Sequence, residues 1–210
     1  MAADGHPPDE LLSLPGPRED GGRSVEAALA QRRSRRDLGS GPIPLADVAQ
    51  LLWAAQGETD DDGHRAAPSA GATYPMEVYL VVGEEGVPDL DSGVYRYRPA
   101  EHALTRESDV SPQAELAAAC YDQEWVSEAP IDLVLAGVDA RTAREYGQRA
   151  GDLYVPMEAG HVGQNVHLQV ESLGLATVTV GGFEDDRVAE VMDLDRARPL
   201  AIYPIGRRTD

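Results

Sequence analysis

The feature that most restricts the fold is a long amphipathic stretch in the second half of the chain. Apolar side chains recur there at steps of three and four residues: Val155, Ala159, Val162, Val166, Val170 and Leu173. This spacing places them on one face of an α-helix, so it predicts a long helix whose apolar face lies in the core. Gly160 and Gly163 lie off this stripe and would allow close approach of another helix or subunit.

Short apolar runs on both sides of this helix predict strands. They are 76–82, 93–98, 131–138, 176–180 and 200–205, with a return strand near Leu104. Further helices are predicted to begin after Ser24, after Pro44 and after Pro112, and the second of them ends at Gly57. A chain of 210 residues can bury a normal core as one domain. We therefore predict a chain of mixed α and β structure.

The beginning of the chain has a different composition. Residues 1–22 combine acidic side chains with prolines and glycines, which predicts a flexible lead-in and places the folded domain at residues 23–210. The segment from Glu58 to Arg65 is polar and contains three consecutive aspartates, so we expect an exposed loop there.

The charge balance excludes some partners. The chain has 37 acidic residues against 18 basic ones, all of them arginine, for a net charge of -19. This argues against general binding to a nucleic-acid backbone, which needs a basic face. An acidic surface without lysine is expected of a protein kept soluble in concentrated salt, which screens self-repulsion. The alternative is an acidic domain that docks on a basic partner. Loss of folded structure in low salt would favour a salt-adapted protein over this alternative.

Targeting and metal signals are weak. The apolar run from Ile131 to Val138 is far shorter than the ~20 residues of a membrane span, and the first residues do not follow a secretory pattern. We therefore expect a cytoplasmic protein that has no membrane partner. The five histidines show no metal-ligand spacing, so no metal site is expected. No Gly-x-Gly-x-x-Gly follows a strand, and a phosphate-loop lysine is excluded because lysine is absent.

An arginine cluster at residues 32–36 is the most informative local signal, with four arginines around Ser34. The planar guanidinium group offers several donors to phosphate oxygens, and each charge-assisted bond contributes roughly 1.5 to 3 kcal/mol. The dianionic phosphate of a bound cofactor would explain the cluster. The alternative is a solvated helix end whose arginines favour the C-terminal dipole and pair with nearby acids.

Three further segments are candidate ligand contacts. Residues 65–75 are rich in small side chains that would let a flat ligand lie on the backbone, although the same composition is common in loops and helix caps. Residues 181–183, Gly-Gly-Phe, follow a predicted strand and could either present amides to a ligand or form a plain turn. Arg207 and Arg208 close the last predicted strand and could be a simple charged tail.

The order and spacing of these segments resemble the nitroreductase superfamily, most closely its SagB-type branch, which includes azoline dehydrogenases of modified-peptide pathways. The resemblance covers about residues 25–208. The matching stretches are RRSxRD at 32–37, LLWAAQG at 51–57, APSAGATYP at 67–75, EVYL at 77–80, GVYRY at 93–97, EAGHVGQN at 158–165, GGF at 181–183 and PIGR at 204–207.

This resemblance implies an α+β fold with a central mixed or antiparallel sheet flanked by helices, and an entwined homodimer with one FMN at each subunit interface. By position, the residues that would hold the FMN phosphate and ribityl chain are Arg32, Arg33, Ser34 and Arg36, with added charge from Arg207. The residues that would lie against the isoalloxazine from the neighbouring subunit are Pro68, Ser69, Ala70 and Gly71. Gly181 and Gly182 would place backbone donors near its reactive edge.

The function implied by the resemblance is FMN-dependent transfer of a hydride between the flavin and a small or peptide substrate, with NADH or NADPH as a candidate electron donor. Azoline dehydrogenases of the branch are expected to use a Lys-Tyr pair in the region that here contains Glu145 and Tyr146. Tyr146 is therefore the candidate catalytic residue, with a structural tyrosine as the alternative, and the missing lysine argues against azoline oxidation. A flavin-consuming relative and a catalytically silent subunit of a biosynthetic complex remain alternative functions. The substrate and the direction of transfer depend on pocket shape.

Overall fold

The computed structural model describes residues 11–209. The strands are β1 (Leu11–Ser13), β2 (Leu38–Gly39), β3 (Met76–Val82), β4 (Gly93–Arg98), β5 (Ala103–Ser108), β6 (Ile131–Gly137), β7 (Leu175–Thr177) and β8 (Arg198–Arg208). The helices are α1 (Val25–Gln31), α2 (Leu45–Gln56), α3 (Gln113–Ala119), α4 (Glu124–Glu128), α5 (Asp139–Tyr146), α6 (Val155–Leu173) and α7 (Asp185–Val191). A short 3-10 turn covers Ala70–Ala72, and a π-helical turn covers Ala150–Tyr154 just before α6.

One antiparallel sheet forms the centre of the fold. Its strand order is β1-β5-β4-β3-β6-β8-β2, and β7 also pairs with β8. All of the strand pairs in the described residues are antiparallel. The strands β3 and β6 pair along their full length, from Met76 opposite Gly137 to Val82 opposite Ile131. The predicted α+β fold with a sheet flanked by helices is therefore confirmed.

Both faces of the sheet are buried, which explains why its central strands are continuous apolar runs rather than alternating ones. Along β6, Leu133 and Leu135 belong to the core that includes α2 and α6. Val134 and Ala136 belong to a second core that includes α3, α4 and α7. The sheet thus separates two helical layers.

Helix α6 occupies the bounds that the sequence predicted. Val155, Val162 and Val166 of the apolar stripe are fully buried, and Gly174, with φ of 69°, ends the helix in the left-handed conformation that glycine favours. Gly163 packs against the Tyr203 hydroxyl, with which any Cβ at that position would clash. A Cβ at Gly160, by contrast, would meet nothing within 4 Å. In the described chain, no helix combines the length and apolar character needed to cross a bilayer.

Two predictions of local structure are corrected. Residues 11–13 of the expected flexible lead-in form β1, because β5 offers an edge with which Leu12 pairs opposite Leu104; residues 1–10 of that segment lie outside the described residues. The strand predicted at 176–180 is β7, which ends at Thr177 and leaves only an isolated bridge from Val180 to Ile202. Continuation of its register would place Val178 opposite Pro204, which has no amide hydrogen to donate.

Candidate functional site

The arginine segment, residues 32–36, runs from the end of α1 toward β2. Its position beside the sheet is fixed by the Arg35 amide, which donates to the Thr177 carbonyl of β7 at 2.9 Å. Arg32 is partly buried, whereas Arg33, Ser34 and Arg36 are exposed. The segment therefore presents most of its polar side chains to solvent while its backbone is anchored.

Arg35 differs from the other arginines because it is buried and pairs with Glu171 of α6. The same carboxylate also faces Arg208 at 3.2 Å and Arg23 at 3.9 Å. Removing one member of a buried ion pair leaves a desolvated charge without compensation. Arg35 therefore stabilises the attachment of the segment to α6.

The remaining three arginines of the cluster form no ion pair with an acid of residues 11–209. Arg33 Nε donates to the Gln31 carbonyl at 3.0 Å. The Arg36 guanidinium lies 5.5 Å from the centroid of the Trp125 ring, a cation–π distance. In a chain with a net charge of -19, cations without a neighbouring acid are unexpected. This observation disfavours the helix-end alternative and favours an anionic ligand.

The glycine pair Gly181–Gly182 is linked to this segment through α4, whose Trp125 contacts Arg36. Neither amide donates a hydrogen bond to another described residue. A Cβ at Gly181 would meet nothing within 4 Å, so the space in front of it is open. Gln123 Nε2 donates to the Gly182 carbonyl at 3.0 Å and so links the glycine pair to α4, which also carries Trp125. The structure thus brings the arginine segment and the two glycines to one side of the molecule.

His167 of α6 adds a neutral group that the sequence did not single out. Its ring lies 2.9 Å from the Thr179 hydroxyl, measured from Nε2 to Oγ1. Burial, and to a lesser extent the positive charge of Arg32, lowers the pKa of His167 to about 4. The imidazole is therefore uncharged at neutral pH and adds no positive charge to the arginine segment.

Arg207 lies at the neighbouring end of β8. Its Nε and Nη2 atoms donate to the Pro42 carbonyl at 3.1 and 2.7 Å. The pairing of Gly39 with Arg207 places it next to the strand that continues the arginine segment. The guanidinium therefore has a backbone partner, and it remains exposed at that edge of the sheet.

The Pro68–Gly71 segment occupies a different place. Its Ser69 hydroxyl oxygen accepts a hydrogen bond from the Tyr74 amide at 2.9 Å. Gly71 has φ of 59°, and a Cβ at this position would lie 2.9 Å from the Tyr146 hydroxyl. Tyr146, the predicted catalytic residue, lies at the end of α5 and is 37% exposed. Its hydroxyl lies against this segment rather than against the arginines.

A buried carboxyl lies beneath the same segment. Glu158 of α6 faces Ser69, Gln56 and Arg65, and burial raises its pKa to about 7. Arg65 Nη1 donates to Gln56 Oε1 at 2.9 Å. Sequence analysis missed this group, although Glu158 falls three residues after Val155 and is thus on the buried side of a predicted helix.

The two sets of residues lie at opposite ends of α6 within one chain. Glu171 contacts the arginine segment, and Glu158 contacts the Pro68–Gly71 segment. These glutamates are more than three helical turns apart, roughly 20 Å along the axis. The structure of one chain therefore assembles the arginines with Gly181 and Gly182, but it does not bring Pro68–Gly71 to them.

A third polar group lies in the predicted exposed loop. Ligand atoms of Asp60, Asp62 and His64 lie within 4.8 Å of one another, and all three residues are exposed. The His64 ring nitrogen Nδ1 contacts Asp60 Oδ2 at 2.8 Å, and chiefly this bond lowers the pKa of Asp60. These contacts form part of the turn itself.

Comparisons with known proteins agree with this geometry. A model described as "Nitroreductase family" matches residues 29–207. A nitroreductase homologue of Methanocaldococcus jannaschii is 43% identical over 186 residues, which is 89% of this chain and 92% of that protein. The microcin B17-processing protein McbC of Escherichia coli is 30% identical over 174 residues, covering 80% of this chain and 64% of that protein. The crystal structure of a nitroreductase homologue from Ralstonia eutropha superposes with a TM-score of 0.82 at 28% identity, covering 95% of this chain and 90% of that one.

Proposed function

The chain belongs to the nitroreductase family, and on that premise we propose that it is an FMN-dependent oxidoreductase that works as a homodimer. The observation that carries the proposal is the set of cations without acidic partners, Arg32, Arg33 and Arg36, beside the open Gly181–Gly182 pair. These residues fit FMN, because its phosphate is a dianion and its ring is flat and edged with hydrogen-bond acceptors.

The surroundings of each residue support a particular role in binding FMN. Arg32, Arg33, Ser34 and Arg36 would hold the phosphate and ribityl chain, while Arg207 adds charge at the same edge of the sheet. The amides of Gly181 and Gly182 would donate to the edge of the ring, since neither has a partner among the described residues. When bound, FMN supplies the two-electron redox chemistry, and the chain binds, orients and exchanges protons.

The separation of the two groups of residues supports the proposed homodimer. Pro68, Ser69, Ala70 and Gly71 can complete a site at the arginine segment only if a second copy supplies them, because α6 holds the two halves apart in one chain. Several apolar side chains are exposed on the helices, with Val25 at 64%, Leu29 at 52% and Met157 at 47%. A partner subunit that covers such side chains gains hydrophobic stabilisation.

The substrate class is proposed from the SagB-type resemblance and from the similarity to McbC, a microcin-processing protein. Both favour a small or peptide substrate. Tyr146 would donate or accept a proton in this reaction, and the position of its hydroxyl next to Gly71 supports that role. Glu145, its exposed neighbour, carries a charge opposite to that of the lysine expected in azoline dehydrogenases, so we do not assign azoline oxidation to this chain.

The first test is the visible spectrum of the protein purified in high salt, followed by anaerobic addition of NADH or NADPH. Flavin bands that bleach support a nicotinamide-linked flavoenzyme, and bands that resist both donors support a substrate-driven oxidoreductase. Loss of flavin absorbance with oxygen and reductant would indicate the flavin-consuming alternative. Colourless protein that takes up no added FMN would overturn the proposal in favour of a silent subunit.

The second test addresses the phosphate site directly. The double variant Arg32→Ala/Arg36→Ala removes two charge-assisted bonds, so we expect FMN affinity to fall by at least about a hundredfold. The thermal midpoint should change little, since neither side chain pairs with an acid of residues 11–209. Arg187→Ala, on the exposed surface of α7, is the matched control. Undiminished flavin content in the double variant would refute the phosphate assignment.

A further inference from the structure

Buried polar atoms without hydrogen bonds cluster beneath the Pro68–Gly71 segment. Glu158 is 3% exposed and its Oε1 has no partner, and Gln56 is fully buried with its Nε2 likewise unpaired. Arg65 Nε is also unpaired, although Arg65 Nη1 donates to Gln56 Oε1. Because a buried polar atom without a partner is costly, these atoms have hydrogen-bonding capacity that their protein neighbours do not fill.

The Ser69 hydroxyl connects this cluster to the surface. Its oxygen accepts from the Tyr74 amide, and the hydroxyl also faces the Glu158 carboxyl. A serine hydroxyl has a single proton. With Glu158 ionised, that proton is drawn to the carboxylate. With Glu158 protonated, the carboxyl can donate to Ser69 Oγ, and the serine proton is released toward the outer side of the segment, where Pro68 and Gly71 are exposed.

We propose that Glu158 is a positioning residue whose protonation turns the Ser69 hydroxyl outward and so gives the Pro68–Gly71 segment a hydrogen-bond donor for bound FMN. This inference rests on the proposed function, which places FMN against that segment. Glu158 does not touch the ligand and acts only through Ser69.

The surroundings of Glu158 allow both of its forms near neutral pH. From α2 it faces the neutral Gln56, and from the loop before β3 it faces Ser69 and Arg65, the one charged side chain of the described residues that acts on it. Arg65 is in turn influenced by Glu58, Tyr74 and Arg141. Burial outweighs Arg65 and raises the pKa of Glu158 to about 7.

The test measures the dissociation constant of FMN by flavin fluorescence from about pH 5.5 to about pH 8.5, which brackets the pKa of about 7. Relative to Glu158→Gln, in which the FMN phosphate titrates in the same way, we expect wild-type binding to weaken about fivefold as pH rises through 7, the effect of one hydrogen bond. Glu158→Gln should show no weakening through pH 7, since its amide can donate to Ser69 at every pH. Ser69→Ala should bind more weakly than Glu158→Gln and show no further weakening through pH 7, and Glu190→Gln, an exposed glutamate of α7, should behave as wild type.

A weakening of binding through pH 7 that persists in Glu158→Gln or in Ser69→Ala would overturn the inference, whereas ionisation of the FMN phosphate strengthens binding as pH rises. A second readout needs no FMN: in two-dimensional NMR spectra, the Ala70 and Gly71 amides should titrate with a midpoint near pH 7 in the wild type and not in Glu158→Gln. Circular dichroism confirms that the variants are folded. If no FMN binds at any pH, the proposed function fails, while amides that do not titrate defeat the inference about Glu158 on their own.

Discussion

Glu158 and Glu171 are two buried glutamates of one helix with opposite environments. Both are nearly inaccessible, at 3% and 1% exposure. Glu171 lies among three arginines, Arg23, Arg35 and Arg208. Glu158 faces one arginine, Arg65, and keeps an oxygen without a hydrogen bond. The first carboxylate is paired with three cations, and burial leaves the second able to change its protonation near neutral pH.

The difference shows how one helix can serve two purposes. At the end of α6 that contacts the arginine segment, the Glu171 carboxylate holds Arg35 in place. The other three arginines of that segment pair with no acid of residues 11–209, which suits the proposed anion site. At the other end, the Glu158 carboxyl lies beneath the segment that contacts Tyr146, and its protein neighbours do not fill its hydrogen-bonding capacity. Its protonation can therefore change with pH. Full pairing favours rigidity, whereas partial pairing makes a group sensitive to pH.

The largest expected effect comes from removing the Glu171 carboxylate, which pairs with three arginines. Glu171→Gln leaves three arginines without their common carboxylate, so we expect the free energy of unfolding to fall by about 3 to 5 kcal/mol. Chemical denaturation in high salt measures this change. The control is Glu190→Gln, where the same substitution removes only an exposed charge. Equal stability of the two variants would show that the arginines around Glu171 do not depend on it.

A smaller effect is expected at the unpaired end, and it depends on pH. The pKa of Glu158 is raised to about 7 in the folded chain from its ordinary value of 4.5, so ionisation favours the unfolded state and stability falls as pH rises between these values. Between about pH 5.5 and about pH 8.5 this group should lower the free energy of unfolding by about 2 kcal/mol. The difference between wild type and Glu158→Gln, measured by denaturation across this range, isolates the contribution. A difference that does not vary with pH would contradict the assignment.

The smallest expected effect is that of removing Arg65, the single charged side chain of the described residues that acts on Glu158. Arg65→Gln should raise the pKa of Glu158 further, because Arg65 favours the charged carboxylate. We expect the midpoint of the stability difference to move upward by less than about one pH unit, equivalent to about 1 kcal/mol at most. Arg187→Gln on α7 serves as the control. A downward movement would mean that burial is not the main cause of the raised pKa.

Much of the fold was accessible from sequence because it depends on local periodicity. The bounds of α6 follow from its apolar spacing and from Gly174, and β3 and β4 follow from short β-branched and aromatic runs. The failures occurred where a distant partner decides the outcome. Residues 11–13 became a strand because β5 offers an edge, and β7 ended early because its register reaches Pro204.

The candidate site was predicted in part. The arginine cluster was predicted to bind an anion, and the sequence offers no means of separating Arg35 from Arg32 and Arg36. That separation depends on Glu171, which lies 136 residues further along the chain. Tyr146 was expected near the flavin, and only the structure placed its hydroxyl against Gly71.

The sequence by itself determined the family, the order of helices and strands, and the residue types available for a phosphate and a flat ring. Only the tertiary structure decided which charges are paired with an opposite charge, and that the two groups of candidate site residues lie at opposite ends of α6. The physical reason is that periodicity specifies which face of a helix is buried, whereas the charge and pKa of a buried group depend on partners from elements far away in the chain.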